Sequence, residues 1–192
     1  MNKVTNILIV GVGGQGTILA SKVLGQVAQN LASEVKVSEI HGMSQRGGSV
    51  VTQVRFGEKV YSPVIALGTA DIILAFEKLE ALRWLPYLRD GGTIIVNSQE
   101  IDPMPVITGA AEYPPQIIAT LNTSAKTITV PALEIADNCG SSKVVNVVLL
   151  GVLAKSLGLT ENIWLDALEG LVPAKTVEIN RKAFLTGFAY EN

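Results

Sequence analysis

The sequence predicts an α/β protein: a three-layer α/β/α domain on a mostly parallel sheet, with an antiparallel hairpin and a helical C-terminus. Short apolar runs, among them Ile7-Leu8-Ile9-Val10, Asp71 to Phe76 and Thr93 to Asn97, alternate with segments of helical periodicity. The first run feeds directly into Gly11-Val12-Gly13-Gly14-Gln15-Gly16 and then into an amphipathic helix. From Leu133 onward the pattern is helical to the end, broken near Gly140, Gly158 and Pro173.

The first junction organises the rest. Thr17 to Leu31 carries Ile18, Leu19, Val23, Leu24, Val27, Ala28 and Leu31 at helical spacing, so its first N–H groups point back at the glycines. A strand, a G-x-G-x-x-G turn and a helix in that order form a Rossmann-like phosphate site. The same glycines also serve a tight turn and close packing of helix on sheet, and the spacing alone does not choose between the two. Val35 to Ile40 then alternates as a strand and completes a β-α-β unit with a right-handed crossover. Glu39, near its end, stands about 20 positions past the glycines, where a dinucleotide-binding protein grips the ribose.

A polar, glycine-rich loop follows, His41-Gly42-Met43-Ser44-Gln45-Arg46-Gly47-Gly48-Ser49. Arg46 has the planar fork that suits phosphate or carboxylate, and its glycine neighbours leave backbone N–H groups accessible. A solvated surface loop with Arg46 paired to an acid is the alternative. Val50 to Phe56, Gly57-Glu58 and Lys59-Val60-Tyr61 read as a β-hairpin. The strand Asp71 to Phe76 leads into a helix from about Glu77 to Leu88, with Leu79, Leu82 and Leu85 inward; Gly91-Gly92 closes that unit before the strand Thr93 to Asn97. Four prolines gather between Asp102 and Pro115, a surface excursion to which no chemistry is assigned. Pro115 to Leu121 reads as a short helix and Lys126 to Val130 as a further strand. Asn146, inside the apolar run Val144 to Ala154, must hydrogen-bond a neighbouring loop or face a polar interface. The last helix offers Val177, Ile179, Phe184, Leu185 and Phe188 as its apolar side, opposite Glu178, Arg181 and Lys182.

No linker or charge run divides the 192 residues, so residues 1–192 form a single domain. Hydrophobic residues make up 48% and charged residues 17%, apolar enough that part of the surface should meet a partner. A net charge of −2 with scattered Lys and Arg gives no footprint for nucleic acid. The longest apolar run is too short to span a bilayer and no secretory signal is visible, so the expected location is the cytoplasm. Cys139 and His41 are the only residues of their kinds. One thiolate makes neither an internal disulfide nor an iron–sulfur cluster, and no zinc site can be assembled.

Taken together, the Gly11–Gly16 turn, the Glu39–Ser49 loop with its Arg46-Gly47-Gly48, the Ala70-Asp71 strand entry and the Asn180/Ala183/Phe184/Gly187 pattern resemble the gamma-type domain of 2-oxoacid:ferredoxin oxidoreductases. The resemblance spans nearly the whole chain, and the text from His41 to Gly48 is most similar to the separate beta subunits of the indolepyruvate members. Pyruvate and 2-oxoglutarate members usually carry Tyr-Gly-Pro-Glu before Arg-Gly-Gly. The resemblance implies an accessory subunit of a complex that decarboxylates a 2-oxoacid on thiamine diphosphate, passes electrons through iron–sulfur clusters to ferredoxin and makes an acyl-CoA. The implied partner is a large catalytic alpha subunit holding thiamine diphosphate, magnesium and the clusters, with ferredoxin reached through the complex. Coenzyme A is expected at the subunit interface. The candidate binding residues are Gly11, Gly13, Gly14, Gln15, Gly16, His41, Ser44, Gln45, Arg46, Gly47 and Gly48, with Arg46 and the backbone N–H groups of Gly13 to Gly16 toward phosphate or the rim of the thiamine pocket. No catalytic residue or metal ligand is assigned. The other readings are a free-standing NAD(P)-binding dehydrogenase using Glu39, and a non-enzymatic interaction module.

Overall fold

The computed structural model describes residues 4–31, 33–41 and 48–191, without the side chain of His41. Six strands make one sheet: β1 (Thr5–Val12), β2 (Glu34–His41), β3 (Ser49–Gly57), β4 (Ala70–Ala75), β5 (Leu88–Asn97) and β6 (Lys126–Val130). Their order is β2-β3-β1-β4-β5-β6. The pairs β1–β4, β4–β5 and β5–β6 are parallel, whereas β3 runs antiparallel to both β1 and β2.

Both faces of the sheet are covered. In β1, Ile7 and Ile9 enter one core and Leu8 and Val10 the other, all four fully buried. A strand covered on both sides is apolar at every position, hence the unbroken run in the sequence. Helices α1 (Thr17–Asn30), α5 (Ala132–Cys139), α6 (Val145–Leu157), α7 (Glu161–Glu169) and α8 (Val177–Ala189) share the first core. On the other face lie α2 (Lys78–Trp84) and α4 (Ile117–Ser124), with Ile65 from the segment after β3. The short α3 (Met104–Ile107) belongs to the proline-rich excursion.

Three expectations need correction. Residues 59–61 do not pair with β3, because β1 and β2 already occupy both of its edges; the Val60 N–H donates instead to Glu34 Oε2 at 3.0 Å. The β1-α1-β2 unit is present, its two strands parallel to each other, with β3 lying between them. The helix after β4 stops at Trp84 and gives way to a 3-10 turn around Pro86, which lacks the N–H needed to continue the ladder. Gly91-Gly92 then lies within β5 rather than before it.

The apolar side expected of the last helix does face the core, with Phe184 fully buried and Ile179, Leu185 and Phe188 packed against it. Asn180, Ala183 and Gly187 are buried as well, because α6 and α8 meet backbone to backbone. A Cβ on Gly151 would stand 2.2 Å from the Phe184 carbonyl oxygen, and one on Gly187 would stand 2.0 Å from that of Val148. Gly151→Ala or Gly187→Ala gains about 1 kcal/mol of helix propensity, but the added methyl must force the helices apart. A net loss of about 1–3 kcal/mol is expected for each, read as a lowered midpoint in urea unfolding of the purified chain.

Candidate functional site

The connection from β1 leads toward one end of the sheet and that from β4 toward the other, so the carboxyl ends of these neighbours mark the switch point where open α/β sheets place ligands. Two side-chain amides close it. Gln15 Oε1 accepts the Val12 N–H at 2.7 Å, while Gln15 Nε2 donates to the Phe76 carbonyl at 3.0 Å. Asn97, fully buried at the end of β5, donates to the same carbonyl at 3.1 Å and accepts the Ala132 N–H at 3.2 Å. The ends of β1, β4 and β5 are thereby joined through one oxygen.

This closure sets the glycine turn. A Cβ on Gly11 would meet Gln15 Oε1 at 2.8 Å and Phe76 Cβ at 2.9 Å, so only glycine leaves room for the Gln15 amide. Gly16, at φ 84°, starts α1 and carries no side chain that could strike Asn146 Nδ2, which a Cβ would approach to 2.5 Å. Asn146 donates back to the Gly16 carbonyl at 3.4 Å, so of its two predicted roles the structure shows the bond to a neighbouring loop. Gly14, at φ 101°, is exposed with nothing near its missing side chain. No side chain caps α1 and its first turn holds no acid, so its N-terminal N–H groups give the mouth a partial positive charge.

The second glycine loop meets the first. The Gly13 N–H donates to the Gly48 carbonyl at 2.9 Å, and Ser49 pairs with Val12 in the ladder. Ser44, Gln45, Arg46 and Gly47, together with the side chain of His41, lie outside the described residues; His41 itself ends β2. Among the described candidates, Gly13 and Gln15 spend their polar groups inside the protein, and Gly14 is the outermost. Glu39 lies on β2, beyond β3, which puts it roughly 10 Å from the β1 edge at ordinary strand spacing. Its carboxylate stands 2.9 Å from the Ser21 hydroxyl. That is no place for a ribose held at the glycine turn.

Beside Gly14 and Gln15 opens a cleft of about 310 Å³ whose other walls are Gln99, Leu133, Ser142, Lys143 and Val145. It shares Gln99 and Leu133 with a groove of about 400 Å³ that runs on to Asp137 and Asn138. One basic, one hydroxyl and two amide side chains thus line the cleft together with Leu133 and Val145, while Glu134 and Asp137 make the adjoining groove acidic. Lys143 and Ser142 reach the turn only through the fold, and no local motif marks them.

On the other side of Val12, Glu77 and Glu80 are buried beside a cavity of about 280 Å³. Glu77 caps α2 by accepting the Glu80 N–H at 3.0 Å, and it also accepts the Ile101 N–H at 3.3 Å and the Tyr113 hydroxyl. Pro103, Met104 and Pro105 wall the cavity, so the proline-rich excursion does contribute to the edge. Burial pushes the Glu80 carboxyl above its ordinary value; the Ser49 hydroxyl and Arg83 pull it down, and the Glu77 charge adds to the rise. Burial, then the bond to and charge of Glu77, drive the Tyr113 phenol far above its usual value and keep it a donor.

A family profile described as Pyruvate ferredoxin/flavodoxin oxidoreductase matches residues 6–190. The chain belongs to that family. It is 41% identical over 188 residues to the indolepyruvate oxidoreductase subunit IorB of Thermococcus kodakarensis, covering 95% of this chain and 93% of the relative. The gamma subunit of a keto/oxoacid ferredoxin oxidoreductase from Geobacter sulfurreducens shares the fold at TM-score 0.72 and 24% identity, over 96% of each chain. The 2-oxoglutarate:ferredoxin oxidoreductase of Magnetococcus marinus, solved with 2-oxoglutarate, coenzyme A and succinyl-CoA, shares it at TM-score 0.76 and 21% identity. That match covers 98% of this chain and 31% of the other. Among the described residues no helix is long and apolar enough to cross a membrane.

The raised Glu80 carboxyl gives a stability test. Because its folded-state value lies above the unfolded one, its favourable contribution is complete below the unfolded value and is lost as pH rises through the folded value. Glu80→Gln does not titrate, so it should gain on the wild type as pH rises from about 4 to about 7. Urea unfolding of both proteins across that range reads the gap; a gap independent of pH would show an unperturbed carboxyl.

Proposed function

We propose that this chain is the small accessory subunit of an indolepyruvate or aryl pyruvate ferredoxin oxidoreductase, inactive alone. Its glycine edge docks on a large catalytic subunit and lines the approach of coenzyme A to the thiamine site. The observation that carries this reading is the 41% identity to an indolepyruvate oxidoreductase subunit over nearly the full length of both chains.

The donor set of this chain fits one of the implied groups and not the others. Cys139 is its single thiol, buried and 3.7 Å from the Thr186 hydroxyl, and one thiolate does not hold a cluster. Among the described residues no three His, Cys, Asp or Glu side chains converge on a metal position. Clusters and thiamine-bound magnesium are assigned to the partner, where thiamine diphosphate would supply the electron sink for decarboxylation. For the phosphates of coenzyme A the support is that Lys143 lines the same cleft as Gly14 and Gln15, the two residues before the N-cap of α1. Leu133 and Val145 offer the pantetheine arm apolar contact. Arg46, which lies outside the described residues, is assigned to the same phosphate contact for its planar fork. Docking fits the apolar composition as well.

The test is calorimetric titration of coenzyme A into the assembled complex. One lost charge-assisted contact is worth about 1.4 kcal/mol, or roughly tenfold in affinity, and that is the weakening expected for Lys143→Ala and for Arg46→Ala. Co-purification with an iron-rich larger subunit should survive both changes. Unchanged affinity and turnover in both variants would remove coenzyme A from this cleft, and oxidation of a 2-oxoacid by the isolated chain would overturn the accessory role.

A further inference from the structure

Glu80 is a buried carboxylate on a seven-residue helix, and none of the proposed chemistry uses it. An apolar residue would fill the same space without the cost of burying a charged group. Its placement indicates another role. Glu80 Oε2 accepts the Ser49 hydroxyl at 2.5 Å, and Oε1 stands 3.5 Å from the half-exposed Arg83 guanidinium. Ser49 opens β3, and the carbonyl of the residue before it, Gly48, accepts the Gly13 N–H at 2.9 Å.

The near end of this relay is fixed independently. Glu77 holds the Glu80 N–H, and is itself held by the Ile101 N–H and the Tyr113 hydroxyl, so α2 is tied to the segment after β5. The relay therefore runs from that segment through Glu77, Glu80, Ser49 and Gly48 into the turn that opens α1. The cavity alongside it leaves Glu80 without close packing on its open side. Its geometry then depends on the hydrogen bonds rather than on shape.

We propose that Glu80 is a positioning residue for the coenzyme A cleft: by gripping Ser49 it sets Gly48 against Gly13, and so fixes where the glycine turn presents the N-terminus of α1. This rests on the assignment of coenzyme A to that cleft. It adds that a side chain outside the lining of the cleft, Glu80, controls affinity without touching the ligand. A grip that only holds the binding surface changes KM for coenzyme A and leaves turnover at saturation alone.

The experiment uses the assembled complex with Glu80→Ala, Ser49→Ala and Glu80→Gln. The two alanine variants should each raise the KM for coenzyme A about fivefold or more while kcat stays within about twofold. Glu80→Gln keeps an acceptor for Ser49 and should restore the wild-type KM. Hydrogen exchange of the same complexes supplies a readout that does not need turnover: the peptide covering residues 9–18 should exchange faster in both alanine variants, with α6 unchanged. Unaltered KM and exchange, an equal loss of kcat with exchange raised throughout, or a failure of Glu80→Gln to rescue would each overturn the proposal. Lys143→Ala separates the two readings. If it weakens coenzyme A while Glu80→Ala does not, the relay alone is wrong; if neither does, the cleft assignment falls and takes the relay with it.

Discussion

The Phe76 carbonyl is the point on which this architecture turns. Where parallel strands end, their last carbonyls lack the ladder partners of the strand interior, and a buried one must be satisfied by something else. Here two amides from different directions converge on it, Gln15 from the glycine turn and Asn97 from the end of β5. Because Gln15 also binds the Val12 N–H, the turn is drawn down over the ends of β1 and β4. That draws Gly11 into a space too small for a Cβ and leaves Gly14 exposed beside the cleft. The turn's shape is thus a consequence of satisfying backbone groups, and the open N-terminus of α1 is what remains for a ligand.

The antiparallel strand β3 is the second constraint. By entering between β1 and β2 it brings the end of the Arg46 loop onto the glycine turn, since Ser49 must pair with Val12. The same insertion carries Glu39 away from the turn. One topological choice therefore joins the two glycine loops and removes the ribose contact on which a dinucleotide site would depend.

Much of this was legible in the sequence because it is local. The apolar run of β1, the glycine spacing, the period of α1 and the breaks at Gly140 and Gly158 each follow from neighbouring residues. The partners of β3 were not legible, since alternation marks a strand without naming the strand it pairs with. Lys59 to Tyr61 therefore read as the return of a hairpin, when Val60 in fact tucks under Glu34. On α8 periodicity finds Phe184 and its large neighbours but gives no weight to the small residues that backbone contact selects, Ala183 and Gly187. At the candidate site the glycines were visible. Glu77 and Glu80 read as ordinary polar residues at a helix start, and nothing near Lys143 marks it as a neighbour of Gly14.

The chemistry of the edge follows from how its polar groups are already employed. Glu77 spends its carboxylate on two N–H groups and a phenol, Tyr113 is held as a donor, and the amides of Gln15, Asn97 and Asn146 bind backbone. A group fixed in this way is poorly placed to take and return a proton during turnover, because each transfer would break a bond that shapes the fold. What lies outward beside them is Gly14, at the turn before the uncapped N-terminus of α1, and Lys143, which lines the cleft next to it. A helix N-terminus and an ammonium both attract an anion. In an edge built this way the polar side chains serve the backbone, and a ligand's charge is met by groups that the backbone leaves over.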